Sequence, residues 1–105
     1  MIGRIWHGWT AHADANAFEA YMRADVWPGL FARNIAGFLE LQCYRLVRPG
    51  LTEFMVLTRF ASLEAVREFA GDDYHKAYVP ARARDFLRRY DVRSEHYEIR
   101  EIMPA

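Results

Sequence analysis

The order of apolar patterns along this 105-residue chain predicts an α+β fold, a four-stranded antiparallel sheet with helices on one face. Three observations carry it. The segment Ile2 to Thr10 is β-branched and aromatic without helical spacing, Pro49-Gly50 separates two further extended runs, and Ser62 to Gly71 carries a full set of helix signals. The length suits one domain, residues 1–105, and leaves no room for a second. With 52% hydrophobic and 15% aromatic residues and no low-complexity tract, disordered and linker classes are excluded.

Each element follows from its residues. Ile2, Ile5, Trp6, Trp9 and Thr10 favour a first strand. Asp14 is a candidate N-cap, and Phe18, Tyr21, Met22 and Val26 recur at three- and four-residue steps along one helix face. Pro28-Gly29 predicts a bend or end at Trp27, with Leu30 and Phe31 on a short continuation. Phe38 to Val47 and Thr52 to Phe60 read as a hairpin about Pro49-Gly50, a pair suited to a tight turn. A turn centred there sets Leu39 opposite Phe60, Leu41 opposite Thr58 and Cys43 opposite Val56 on an apolar face. The alternate face pairs Glu40 with Arg59, Gln42 with Leu57 and Tyr44 with Met55. Ser62 then caps a helix with Glu64 in its first turn, a stripe of Leu63, Val66, Phe69 and Ala70, and Gly71 at its end. Pro80 opens a late helix to about Tyr90, and Val92 to Ile102 alternates as a last strand.

Strand, helix, strand, strand, helix, strand is the split βαβ, ferredoxin-like order. One sheet face stays bare, with Trp6 or Trp9, Tyr44, Met55 and Leu57 on it, more apolar surface than soluble monomers carry. A second copy, sheet against sheet, removes that exposure, which predicts a homodimer with Glu40, Gln42 and Arg59 as polar groups at the interface.

Fourteen basic and 14 acidic side chains cancel, so the broad positive field that nucleic acid or an anionic membrane requires is missing, and a small molecule is the expected ligand. The single Cys43 excludes an internal disulfide framework and fits a reducing cytoplasm. The first ten residues carry Arg4 and His7 within their apolar run, unlike a signal peptide or membrane span. Thirteen arginines against the lone Lys76 fit a GC-rich bacterial genome. His7, His12, His75 and His96 lack metal-ligand spacing, and no phosphate loop or nucleophile elbow occurs, so neither metal nor cofactor is expected.

The opening Ile2-Gly-Arg-Ile-Trp, the run from Phe60 to Tyr74 and the close His96-Tyr-Glu-Ile resemble the antibiotic biosynthesis monooxygenase-like proteins of the dimeric α/β-barrel superfamily. The resemblance spans nearly the whole chain. It implies a ferredoxin-like subunit, a dimer whose two sheets close a barrel, and a small cavity between helices and sheet in each subunit. Monooxygenase members often have Trp before the serine of the second helix; Phe60 stands here, keeping the stacking surface without the indole donor. Haem-degrading members have Trp there, Asn on the first strand and a ligating His after the second helix. The corresponding Phe60, His7 and Tyr78 depart at all three positions.

Candidate site residues are weighed against plainer roles. His75, between Tyr74 and Tyr78, suits a base that takes a phenolic or α-carbonyl proton, or is an exposed loop histidine. Tyr74 and Tyr78, four apart, could stack on a planar ligand or pack on the core. His7 alternates with Ile5 and Trp9; it clamps a ring if that face lines the cavity and joins the dimer's polar layer if it does not. His96 shares a face with Glu98, a pair able to act as an oriented base or as a salt link. Arg82, in a basic run, could donate to an oxyanion or lie on a solvated face. The first expectation is a cofactor-independent monooxygenase of a phenol or quinol with His75 and His7 as bases and Trp9, Phe60, Tyr74, Tyr78 and Arg82 around the substrate. A cofactor-free isomerase or cyclase, and a non-catalytic dimeric binding module, are the alternatives.

Overall fold

The computed structural model describes all 105 residues. Strands β2 (Phe38–Val47) and β3 (Thr52–Phe60) form the hairpin that the Pro-Gly pair foretells. Gly50 takes φ of +85° at the turn, a value that glycine reaches without strain. The register from Glu40↔Arg59 to Val47↔Thr52 is the expected one. The difference lies at the far end, where a bulge between Phe38 and Glu40 puts Phe38 rather than Leu39 opposite Phe60. The bulge turns Leu39 outward, and the Phe38 ring joins a cluster, 4.8 Å from Phe31 and 5.3 Å from both Phe60 and Phe69.

β1 (Ile2–Thr10) pairs antiparallel with β3 along its whole length, from Ile2↔Phe60 to Thr10↔Thr52. Its other edge is shared by two short strands. β4 (Leu87–Tyr90) pairs with Gly8, Trp9 and Thr10, and β5 (Glu95–Glu98) pairs with Ile2 to Ile5. The sheet thus has five strands where four were expected, and the late helix α4 (Ala81–Phe86) stops short of Tyr90. The backbone groups on the edge of β1 explain the change: Leu87–Tyr90 satisfies them as strand, which a helix could not. Asp91 fastens the corner between β4 and β5. Its amide donates to the His7 carbonyl, its carboxylate accepts from the His7 amide, and its carbonyl accepts from Trp6 Nε1.

The first helical region begins as a short tight turn at His12–Asp14, so Asp14 is helical and makes no side-chain cap. Helices α1 (Ala15–Tyr21) and α2 (Trp27–Ala32) are joined by a π turn over Met22–Val26. Pro28 is the cause. It has no N–H to offer Ala24, and the wider turn, in which the Trp27 amide reaches back to the Met22 carbonyl, lets the helix bend and continue. Helix α3 (Leu63–Ala70) is capped by the Ser62 side chain, which accepts from the Ala65 amide, and Gly71 at φ of +86° ends it.

All four helices cover one sheet face. Phe54, Val56, Thr58 and Phe60 of β3 point toward them and are buried, while Glu53, Met55, Leu57 and Arg59 point away. The core has two centres. Phe18, Met22, Phe54 and Ala83 form one, Phe60, Ala65 and Val66 the other, and the space between them is unfilled. No helix is long and apolar enough to cross a membrane.

Candidate functional site

An open-mouthed cavity of about 620 Å³ occupies that space, with 14 of its 22 lining residues hydrophobic. Arg4 and Trp6 of β1, Leu41 of β2 and Val56 and Thr58 of β3 make its floor. The π turn and α2 supply Met22, Asp25, Val26, Trp27, Gly29 and Leu30, and residues 76–80 close the opposite side. The bend forced by Pro28 therefore shapes one wall, as π turns at binding sites often do.

Trp6 owes its position to Gly8. A Cβ on Gly8 would stand 2.5 Å from the Trp6 ring and 2.9 Å from Leu87, so only glycine lets the indole lie back along the strand. The indole N–H is spent on the Asp91 carbonyl at 2.9 Å, which leaves the ring as an apolar wall.

Arg4 is the unusual group. It is 7% exposed and no carboxylate pairs with it. Its Nη1 donates to the Tyr74 carbonyl at 2.6 Å and its Nη2 to the Lys76 carbonyl at 3.2 Å, contacts that pin residues 74–76 over the sheet. Burial lowers its pKa from the ordinary guanidinium value. Beside it, His96 Nε2 lies 3.4 Å from Arg4 Nη1, and His96 Nδ1 lies 3.2 Å from His75 Nδ1. Burial, then Arg4, then His75 push His96 down to about 4, so it is neutral at physiological pH. With Arg4 able only to donate, His96 Nε2 is the acceptor there, and His75 Nδ1 donates to the Ser94 carbonyl at 3.3 Å. Ser94, 3% exposed, lines the cavity next to this cluster, and its Oγ has no hydrogen-bond partner.

The structure distributes the sequence-derived candidates over three places. Tyr78 lines the cavity mouth and is 86% exposed. His75 and Tyr74 stand one layer behind the lining, their rings 4.4 Å apart and both beside His96. Phe60 is fully buried in the aromatic cluster and Arg82 lies over the Tyr21 ring at 5.1 Å, so neither reaches the cavity. His7 and Trp9 project from the opposite sheet face, which settles the phase of β1. There His7 Nδ1 meets Asp91 Oδ2 at 2.8 Å, and Arg89 sits over the Trp9 ring at 4.0 Å. His96 turns to His75 and Arg4 rather than to Glu98. Cys43 is half-buried, and burial pushes its thiol up to about 11, which leaves it protonated and unreactive.

Sequence reading passed over Arg4, Trp6, Trp27 and Ser94 as cavity residues. The alternation of Arg4 with Trp6 on β1 was the available signal, but its meaning depends on the β1–β3 register, which nothing local fixes.

No family model matches the chain, and no curated protein does. Solved structures do. A Bacillus cereus protein assigned as an antibiotic biosynthesis monooxygenase superposes with a TM-score of 0.71 at 18% identity, over 99% of this chain and 97% of its own. A MhuD variant with two manganese protoporphyrin IX molecules bound per active site gives 0.68 at 17% identity, over 100% of both chains. A dimeric ferredoxin-like protein from an uncultured marine organism gives 0.69 at 10% identity, over 98% of both. At these identities the likeness defines the fold. The chain has the ferredoxin-like fold of these proteins, as its element order foretold. None of its four histidines lines the cavity, so the residues there do not fit a porphyrin held by an axial imidazole.

Proposed function

We propose that the protein is a small cofactor-independent monooxygenase of an aromatic, phenolic or quinol-type compound, working as a cytoplasmic homodimer. The observation that carries this is the cavity itself, open at one end, about 620 Å³ and walled by Trp6, Tyr21, Trp27, Phe69 and Tyr78, the surfaces that suit a flat ring system. The monooxygenase-type fold of the neighbours supports the reaction class.

In such a reaction the substrate is the reductant. Loss of one proton gives an electron-rich anion, which adds dioxygen at carbon; the resulting peroxide anion takes the proton back from the base as a hydroperoxide, and departure of water then leaves a carbonyl. The protein's tasks are to hold the ring, exclude bulk water and accept the proton. His75 is the base: it stands one layer behind the lining, beside His96, and takes the proton through an intervening water. Tyr78 covers the ring at the mouth. His7 and Trp9 take the interfacial role, on an open face whose Ile5, Met55, Leu57, Tyr44 and Leu46 gain cover from a second copy.

Oxygen uptake on dihydroxynaphthalene, measured against protein-free autoxidation, tests the reaction. Catalysed uptake that falls about 100-fold in His75→Ala supports the reading. Uptake no faster than autoxidation, with ring rearrangement continuing under anoxia, would instead identify a proton-transfer enzyme.

A further inference from the structure

We infer that the inner end of the cavity is an anion seat, in which Arg4 and Ser94 hold a carboxylate carried by the aromatic ligand. The inference rests on the proposed ligand cavity and adds the substrate class to it.

Three observations converge. The Arg4 guanidinium is a buried cation on the cavity floor whose polar contacts are two carbonyls and one imidazole, with the Phe69 ring 5.8 Å away and no counterion. A buried charge in that state is costly, and an incoming carboxylate relieves the cost while gaining a charge-assisted hydrogen bond. Ser94 lines the same cavity, and its Oγ, buried and without a partner, is a free hydroxyl donor of the kind a carboxylate accepts from. Third, the lining is cationic although the chain is neutral: Arg4, Arg33 and Lys76 face one acid, Asp25. Neutral His96 adds no competing charge, and its Nε2 holds the guanidinium in place.

An amide isostere has the shape of a carboxylate without the charge, and a naphthol offers a single oxygen that is un-ionised at neutral pH. Binding of naphthoate, naphthamide and naphthol is therefore compared by titration calorimetry at pH 7 with the wild-type protein, Arg4→Gln and Ser94→Ala. The expected result is naphthoate binding at least about tenfold tighter than the other two. Arg4→Gln should abolish that preference. Ser94→Ala should weaken naphthoate about three- to tenfold and leave naphthamide unchanged. Because Ser94 Oγ has no partner to lose, its alanine variant should melt like wild type, and it carries the test if Arg4→Gln fails to fold. Equal affinity for naphthoate and naphthamide, or a Ser94→Ala protein with undiminished naphthoate affinity, overturns the seat while leaving the cavity reading intact. Naphthol matching naphthoate overturns the carboxylate assignment. Failure of all three to bind overturns the seat and the ligand cavity together.

Discussion

The two faces of β1 differ by one residue of phase and by everything that matters chemically. Arg4, Trp6 and Gly8 look toward the helices, where a guanidinium without a counterion, an indole laid flat and an absent side chain frame a cavity. Ile5, His7 and Trp9 look the other way, onto a sheet whose polar groups are already partnered. There Arg59 meets Glu40 at 3.2 Å, Gln42 donates to Glu40 at 2.6 Å, and the Tyr44 hydroxyl donates to Gln42. A charge without a counterion and one unpartnered hydroxyl lie on the helix side, and satisfied polar groups among bare apolar ones on the other. The first pattern suits a small ligand and the second suits a matching surface.

The largest effect that separates the faces is on stability. Phe54→Ala, in the helix-side core, should lose about 3–5 kcal/mol in urea unfolding, whereas Tyr44→Ala on the open face should lose under about 1 kcal/mol when measured on the monomer. Comparable losses would mean that the open face is packed within the chain itself.

The open face has its own test in assembly. Leu57→Arg places a charge amid the face proposed to meet its twin, and it should shift the sedimenting species from twice 12.3 kDa to 12.3 kDa at micromolar concentration. Valine 79, on the cavity wall, gives the contrast: Val79→Arg should leave the mass unaltered and remove ligand binding.

Acid sharpens the comparison further, since each face carries a shifted group. His96 on the helix side is held at about 4, below its usual 6.5, so the unfolded chain takes up a proton over that interval and the folded chain does not. Stability from His96 is therefore fully present above pH 6.5 and declines as the pH falls toward 4; His96→Gln should flatten this decline in urea midpoints taken across that range. On the open face, hydrogen bonds from Arg59 and then Gln42 hold the Glu40 carboxyl below its usual range. The unfolded carboxyl protonates around its ordinary 4.5, so this contribution declines from about pH 5 downward, and Glu40→Gln should leave the interval from about pH 5.5 to 6.5 unchanged.

The smallest effect concerns Gly29, a cavity-lining residue whose Cβ would meet nothing within 4 Å. Gly29→Ala should raise stability by about 0.5 kcal/mol through helix propensity. Gly29→Phe should fold as well and bind ligand more weakly by narrowing the mouth.

What the sequence disclosed and what it hid follow one rule. Local chemistry was readable: the Pro49-Gly50 turn, the Ser62 cap and the Gly71 stop each depend on a few neighbouring residues, and the hairpin register follows from its turn. Properties set by distant partners were not. Leu87–Tyr90 has the look of a continuing helix until the bare edge of β1 is there to claim it, and the bulge at Leu39 exists to bring Phe38 into a ring cluster assembled from four separate elements. The site suffered most, because Arg4, Ser94 and Trp27 meet only after β1 has chosen its phase against β3. His75 was singled out by its tyrosine neighbours, but its contact with His96 joins residues 21 apart.

The most direct measurement is a backbone amide NMR titration with naphthoate. A ligand in the helix-side cavity shifts Arg4, Trp27, Val79 and Ser94 and leaves Ile5, His7, Tyr44 and Leu57 where they were. Saturable shifts confined to the second group would put the ligand on the open face and contradict the assignment of the two surfaces.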